Sequence, residues 1–221
     1  PHSKFVSESF HGVNASFDNQ LICMLERLAM VEADMLLAPS EDLAGFVARD
    51  TGIAIDDIQI VRNPVNTQAF SPKGKKAIAK TSNVRVLFVG RLEARKGIQH
   101  LVEAIPQVLK ENRNIEFVIV DNDTNTASDG TSMRAHLEKE LKDSGSVDCV
   151  RFISHVPLHE MPEYYRSADI SVIPSLYDNA PYTCIEALSS GNPVIVSSFG
   201  GTKEYVVEGV TGLVVPGANP K

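Results

Sequence analysis

Short apolar runs alternate along this chain with longer amphipathic stretches, the order that a parallel sheet covered by helices requires. Residues 84–89, 115–120, 149–153, 169–173 and 193–196 read as buried strands, and 209–215 reads as a closing one. Between them, residues 98–110, 131–142, 159–166 and the stretch from Pro181 to Ser189 carry the helical period. Pro181 suits a first helical position, and Ser189, Ser190 and Gly191 end that helix. Earlier, residues 19–32 repeat apolar positions at Leu21, Ile22, Leu25, Leu28 and Ala29. Met35 to Ala38 then reads as a strand, Ser40 as the N-cap of a helix reaching about Arg49, and Ile58 to Val61 as a second strand. The expected architecture is α/β. A doubly wound, Rossmann-like parallel sheet fills residues 84–221, residues 1–66 form the C-terminal part of another α/β domain, and the charged, aperiodic residues 67–83 link the two. Residues 1–18 are polar and irregular, and the chain reads as cut from a longer one.

In a sheet of this kind, ligands bind outside the carboxyl ends of the strands. Two loops there carry chemistry. The first, Gly90 to Gly97, holds Arg91, whose planar fork matches phosphate oxygens, and Lys96, a mobile point charge. The second precedes the helix that begins near Pro181 and contains Asp178, which is followed by seven residues and then Glu186. The peptide N–H groups at a helix start suit a phosphate, here those near Tyr182, Thr183 and Cys184. A carboxylate one turn further, Glu186, can accept two hydrogen bonds from the vicinal diol of a ribose. Asp178, still in the loop, points beyond the phosphate. Together these positions outline a nucleotide joined through its diphosphate to a sugar.

Composition narrows the choice of partner. With 21 basic and 28 acidic residues the net charge is −7, which argues against a nucleic-acid partner. No apolar run approaches the roughly 20 residues that cross a bilayer, and no signal peptide is evident, so a cytoplasmic location is expected. Cys23, Cys149 and Cys184 lack metal-ligand spacing and read as reduced, mostly buried thiols. His155 and His159 are close, but no third ligand stands near them, and no Gly-x-Ser-x-Gly elbow occurs. No metal and no resident cofactor is expected. The Asn, Asp and Thr rich residues 121–130 fit no calcium loop and read as a flexible solvated loop.

The run Asp178, Glu186, Ala187, Gly191, Pro193, Val194, Gly200, Gly201 resembles the signature of the retaining family-four glycosyltransferases (glycosyl transferases group 1), which have the two-domain GT-B fold. Gly90-Arg91-Leu92 with Lys96-Gly97, Ala168-Asp169 before a strand, and Asn63-Pro64-Val65-Asn66 also follow that family. The resemblance implies a hexosyltransferase-type enzyme moving a sugar from a UDP-, GDP- or ADP-sugar to a hydroxyl of a glycan or lipid-linked acceptor, in glycan, lipopolysaccharide or glycolipid synthesis. It assigns Arg91 and Lys96 to the diphosphate, Glu186 to the ribose and Asp178 to the sugar hydroxyls. It places His2 beside the donor sugar, and Ser154-His155-Val156 at the nucleotide base. Peripheral attachment to the inner face of a membrane would fall to a region preceding this sequence.

Three departures keep other readings open. The family usually has Glu where this chain has Asp178, its Gly-x-Gly turn after residue 120 is absent, and His155 replaces a common Gly. His155 either stacks on a base or faces solvent. Arg95, between the motif positions, reads as solvated. A noncatalytic nucleotide-sugar-binding relative and a GT-B epimerase or phosphorylase remain the alternatives.

Overall fold

The structure is a computed structural model that describes residues 17–127 and 129–220. The chain divides into two compact units between Arg62 and Asn63. In the first, α1 (Phe17–Val31) precedes a parallel pair of strands, β1 (Leu36–Ala38) and β2 (Ile58–Ile60), joined through α2 (Glu41–Thr51). Ser40 caps α2, accepting the Leu43 N–H at 3.2 Å, and Gly52 closes it in the left-handed conformation. Ala38, Ala44 and Ile58 form the small core of this unit. The apolar stripe of α1 remains on the surface, with Leu21, Leu25 and Leu28 all exposed.

The second unit is a six-stranded parallel sheet in the order β5-β4-β3-β6-β7-β8. Its strands are β3 (Val84–Arg91), β4 (Ile115–Asn122), β5 (Val150–Ser154), β6 (Ile170–Ile173), β7 (Val194–Ser197) and β8 (Gly212–Val215). The helices are α3 (Ile98–Glu111), α4 (Met133–Asp143), α5 (Met161–Ser167) and α6 (Tyr182–Ser189). Side chains alternate between two cores. Leu87, Val118 and Val120 face Tyr165, Cys184 and Ala187, while Val86, Phe88, Phe117 and Ile119 face Ile98, Val102, Leu137 and Leu141. Both faces are covered, which is why these strands read as continuous apolar runs rather than alternating ones.

The residues read as a linker are a fixed strap. Val65, just before these residues, and Phe70 and Ile78 among them pack on the core formed by α5, α6 and their strands. Ser189 Oγ donates to Phe70 O at 2.5 Å, Ile78 N–H to Ser167 Oγ at 3.0 Å, and Arg166 Nε to Lys75 O at 2.7 Å. Three spaced apolar residues are enough to anchor a segment whose composition otherwise suggests a free one. Below it, Arg85 is 3% exposed. It pairs with Glu116 and donates to Ser167 O at 2.6 Å and Ala79 O at 2.9 Å, which ties the amino ends of β3 and β4 to α5 and the strap.

Candidate functional site

The topology makes one crevice. From β3 the chain crosses to β4 on one side, and from β6 it crosses to β7 on the other, so the loops after the adjacent strands β3 and β6 part at the carboxyl edge. These are the two loops that carry the candidate residues. They are stitched by backbone: Leu176 N–H donates to Arg95 O at 2.8 Å. Gly97 has φ +68, and a Cβ there would overlap the Pro174 carbonyl oxygen, so only glycine lets the loops approach this closely.

A chain of ion pairs fills the junction. Arg91 Nη1 lies 2.7 Å from Glu93 Oε1, and Arg95 Nη2 lies 3.4 Å from Glu93 Oε2. Arg95 Nη1 donates to Asp178 Oδ1 at 3.1 Å and Tyr177 O at 2.8 Å. Lys96 Nζ donates to Asp178 Oδ2 at 2.7 Å, and so does Ser175 Oγ at 2.7 Å. Asp178 is therefore almost fully buried, with both carboxylate oxygens engaged. Burial pushes its pKa up, but the Lys96 charge and hydrogen bond, with Arg95 and Ser175, outweigh that and hold it below the ordinary aspartate value. Arg95, read from sequence as solvated, is instead an internal member of this network, its side chain 17% exposed. The sequence signal was a cluster of three bases in one loop facing a loop acid. Arg91 keeps 57% of its side chain exposed.

Glu186 joins a separate network. It sits in the second turn of α6, half-buried, and Tyr165 Oη donates to its Oε2 at 2.9 Å. Burial raises the Glu186 pKa, and the Tyr165 hydrogen bond works against that rise. Pro181 is the N-cap of α6 rather than its first residue, and it offers no side-chain cap to the N–H groups that follow. Tyr182 is exposed, Thr183 is half-buried, and Cys184 is fully buried with its thiol pushed up to about 12 by burial. Cys184 N–H already donates to Pro181 O at 3.1 Å. Any anion at this helix start thus meets the peptide groups of Tyr182 and Thr183, and the Cys184 side chain faces the core.

The third loop follows β5, two strands from β3 and so about 10 Å away along the sheet. His155 is exposed and has φ +59, the left-handed conformation that explains a glycine preference at this position. Val156 is half-buried. Beside them Arg134 from α4 donates to Ser154 Oγ at 2.6 Å and stacks over Phe152 at 4.9 Å. The loop after β4 is more structured than its composition suggested. Asp123 accepts from Arg134 N–H at 2.9 Å and Ser132 Oγ at 2.6 Å, capping α4, and Thr124 Oγ1 donates to Leu92 O at 2.5 Å. Asp123 here serves as a cap, and Thr124 ties the loop to the residue after β3.

His2 lies outside the described residues. Among the described residues no group of three metal-ligating side chains is assembled, and no helix is long and apolar enough to cross a membrane. Of the cysteines, Cys184 alone is fully buried, and Cys23 and Cys149 are half-buried.

An α/β unit whose loops part at a switch point between β3 and β6, with cations, an uncapped helix start and a half-buried carboxylate at that edge, is laid out as in a GT-B scaffold. Residues 71–221 match the family described as Glycosyl transferases group 1, and the chain belongs to it. It is 32% identical over 214 residues to an uncharacterized glycosyltransferase of Methanocaldococcus jannaschii, covering 93% of this chain and 53% of that protein. The chain spans about half the length of the curated relatives it matches. Among solved structures, sucrose-phosphate synthase of Thermosynechococcus elongatus superposes with a TM-score of 0.78 at 26% identity, covering 91% of this chain and 50% of the other. HepE of Anabaena in complex with UDP gives 0.74 at 18% identity, with 94% and 56% covered.

Proposed function

We propose that this chain supplies the donor site of a retaining glycosyltransferase, which moves a sugar from a nucleotide diphosphate to an acceptor hydroxyl. The observation that carries the reading is the convergence of Arg91, Lys96 and the uncapped α6 start on one crevice, with Glu186 one turn into the same helix. Support comes from HepE, a protein of the same fold that has been solved with UDP-glucose. In this reading Glu186 accepts hydrogen bonds from the ribose diol. Arg91 and Lys96 meet the diphosphate, with the N–H groups of Tyr182 and Thr183. When the bond between the anomeric carbon and the diphosphate breaks, its electron pair goes to the phosphate oxygen. Fixed donors aimed at that oxygen lower the barrier, a task that side-chain cations perform without a metal ion. His155 and Val156 border the base, and the family resemblance assigns His2 to the donor sugar. A cytoplasmic location, with contact to the inner membrane surface, fits an acceptor carried on lipid.

The test is a transfer assay with a labelled donor, reading the anomeric configuration of the product by NMR with and without chelator. The same configuration as the donor, unaffected by chelator, is expected. An inverted product, or release of an epimer instead of a transferred sugar, would replace this reading.

A further inference from the structure

Asp178 is the residue whose surroundings fit its expected sugar contact least. The residue is 3% exposed, and both carboxylate oxygens are engaged: Oδ1 accepts from Arg95, and Oδ2 accepts from both Lys96 and Ser175. Its backbone is gripped as well. Gly201 N–H donates to Asp178 O at 2.9 Å, and a Cβ on Gly200 would overlap that same oxygen. Ser175, in turn, is held because its carbonyl accepts from Ser197 Oγ on β7. The aspartate is thus fixed from β7, from its own loop and from the β3 loop at once.

What this fixture holds is a pair of cations. Lys96 has three N–H donors, one of which Asp178 uses, and its side chain is 18% exposed at the crevice. A lysine on a flexible four-carbon stem loses side-chain entropy when it must find a phosphate unaided. Arg95 contributes little of its own to a ligand, since its donors go to Asp178, Tyr177 O and Glu93. It braces the carboxylate from the second side. The methylene that distinguishes Asp from the Glu usual in this family matters here: the shorter side chain keeps the carboxylate within its own loop's reach, bonded to Ser175 three residues earlier.

We infer that Asp178 is a positioning residue that holds Lys96 in place for the donor diphosphate, and not a ligand of the transferred sugar. This rests on the proposed donor site. The role of Asp178 shows in which part of the donor loses affinity when its charge is removed. The decisive experiment is calorimetric titration of the wild type, Asp178→Asn, Lys96→Met and the double variant with three ligands of the base that binds: the nucleoside, its diphosphate and its diphosphate sugar. Asparagine preserves shape and the Ser175 contact while removing the charge.

The inference predicts that Asp178→Asn leaves nucleoside affinity within about twofold and weakens the diphosphate and the diphosphate sugar equally, by about tenfold, a usual size for coupled neighbours. In the Lys96→Met background the same change should have almost no further effect. Loss confined to the diphosphate sugar would assign Asp178 to the sugar and overturn the inference. So would unchanged or tighter diphosphate binding, which would make the aspartate a competing anion. Equal loss for all three ligands would reduce it to a scaffold residue. Failure of the wild type to bind any diphosphate is a different outcome, removing the donor site itself.

Discussion

Tyr165, 1% exposed in the core, donates its phenolic hydrogen to Glu186 Oε2 at 2.9 Å. A buried tyrosine thus aims the carboxylate assigned to the ribose and leaves its other oxygen unclaimed by that bond. Burial raises the Glu186 pKa and this bond opposes the rise, so Tyr165→Phe should raise it further. A diol donates to the carboxylate form. Affinity for a nucleoside diphosphate should therefore decline as pH falls, and in Tyr165→Phe the decline should begin at higher pH, with a loss of roughly tenfold where the two profiles are furthest apart. Binding profiles between pH 5 and pH 8 check this. Superimposable profiles would remove Tyr165 from the site.

Asp178 also links the site to acid stability. Its folded pKa is depressed, so its stabilisation is fully present above the ordinary aspartate value near 3.9 and is lost as pH falls through the folded value. Asp123 shifts the same way, while Asp121, Glu140 and Glu186 are raised and shift oppositely. Comparing wild type with Asp178→Asn isolates the one contribution. Denaturant unfolding from pH 7 to pH 3 should show the wild type losing its advantage over the variant toward the acid end. A constant difference across that range would contradict the ion-pair assignment.

Much of this arrangement was legible in the chain, for reasons that individual residues make plain. The strands were visible because Val86 to Val89 and Phe117 to Val120 are covered on both faces and so had to be apolar throughout. Arg91, Lys96 and Glu186 could be placed because strand ends and helix starts have sequence signals, and those ends are where the loops meet. Arg95 was missed because its burial depends on Tyr177 and Asp178, more than eighty residues away, and no local pattern records that distance. Tyr165 was missed for the same reason, since its partner lies 21 residues on. Residues 67–83 read as a linker because polar composition dominates them, while their attachment rests on a few residues such as Phe70 and Ile78.

Gly97 offers a test of the loop junction that uses no ligand. With φ +68 and the Pro174 carbonyl against its α-carbon, Gly97→Ala should cost well over the ~1–2 kcal/mol of the left-handed conformation alone. Gly145 has φ +69 but nothing within 4 Å of an added Cβ, so Gly145→Ala should cost only that conformational amount. Chemical denaturation of both variants measures the difference. Equal costs would mean that the two loops do not meet as described.

Glu116 separates stability from binding. It pairs with the buried Arg85 at the amino end of the sheet, opposite the crevice. Glu116→Ala leaves that cation with carbonyl partners only and should cost about 3 kcal/mol. Nucleotide affinity of the folded fraction should remain within about twofold, because among the described residues the Arg85 side chain bonds to Ser167 and Ala79 and not to the carboxyl-end loops. Affinity that falls with stability would show the two ends to be coupled.

The central claim is that the crevice between the β3 and β6 loops binds a nucleoside diphosphate through Glu186 and the cations. Thermal or chemical stabilisation of the chain by UDP, GDP and ADP, with Glu186→Ala as control, tests it most directly. One base should stabilise selectively, reaching about 2.7 kcal/mol at a hundred times its dissociation constant, and the effect should vanish in the variant. A folded sample that no diphosphate stabilises at millimolar concentration, or a shift that survives Glu186→Ala, would contradict the account.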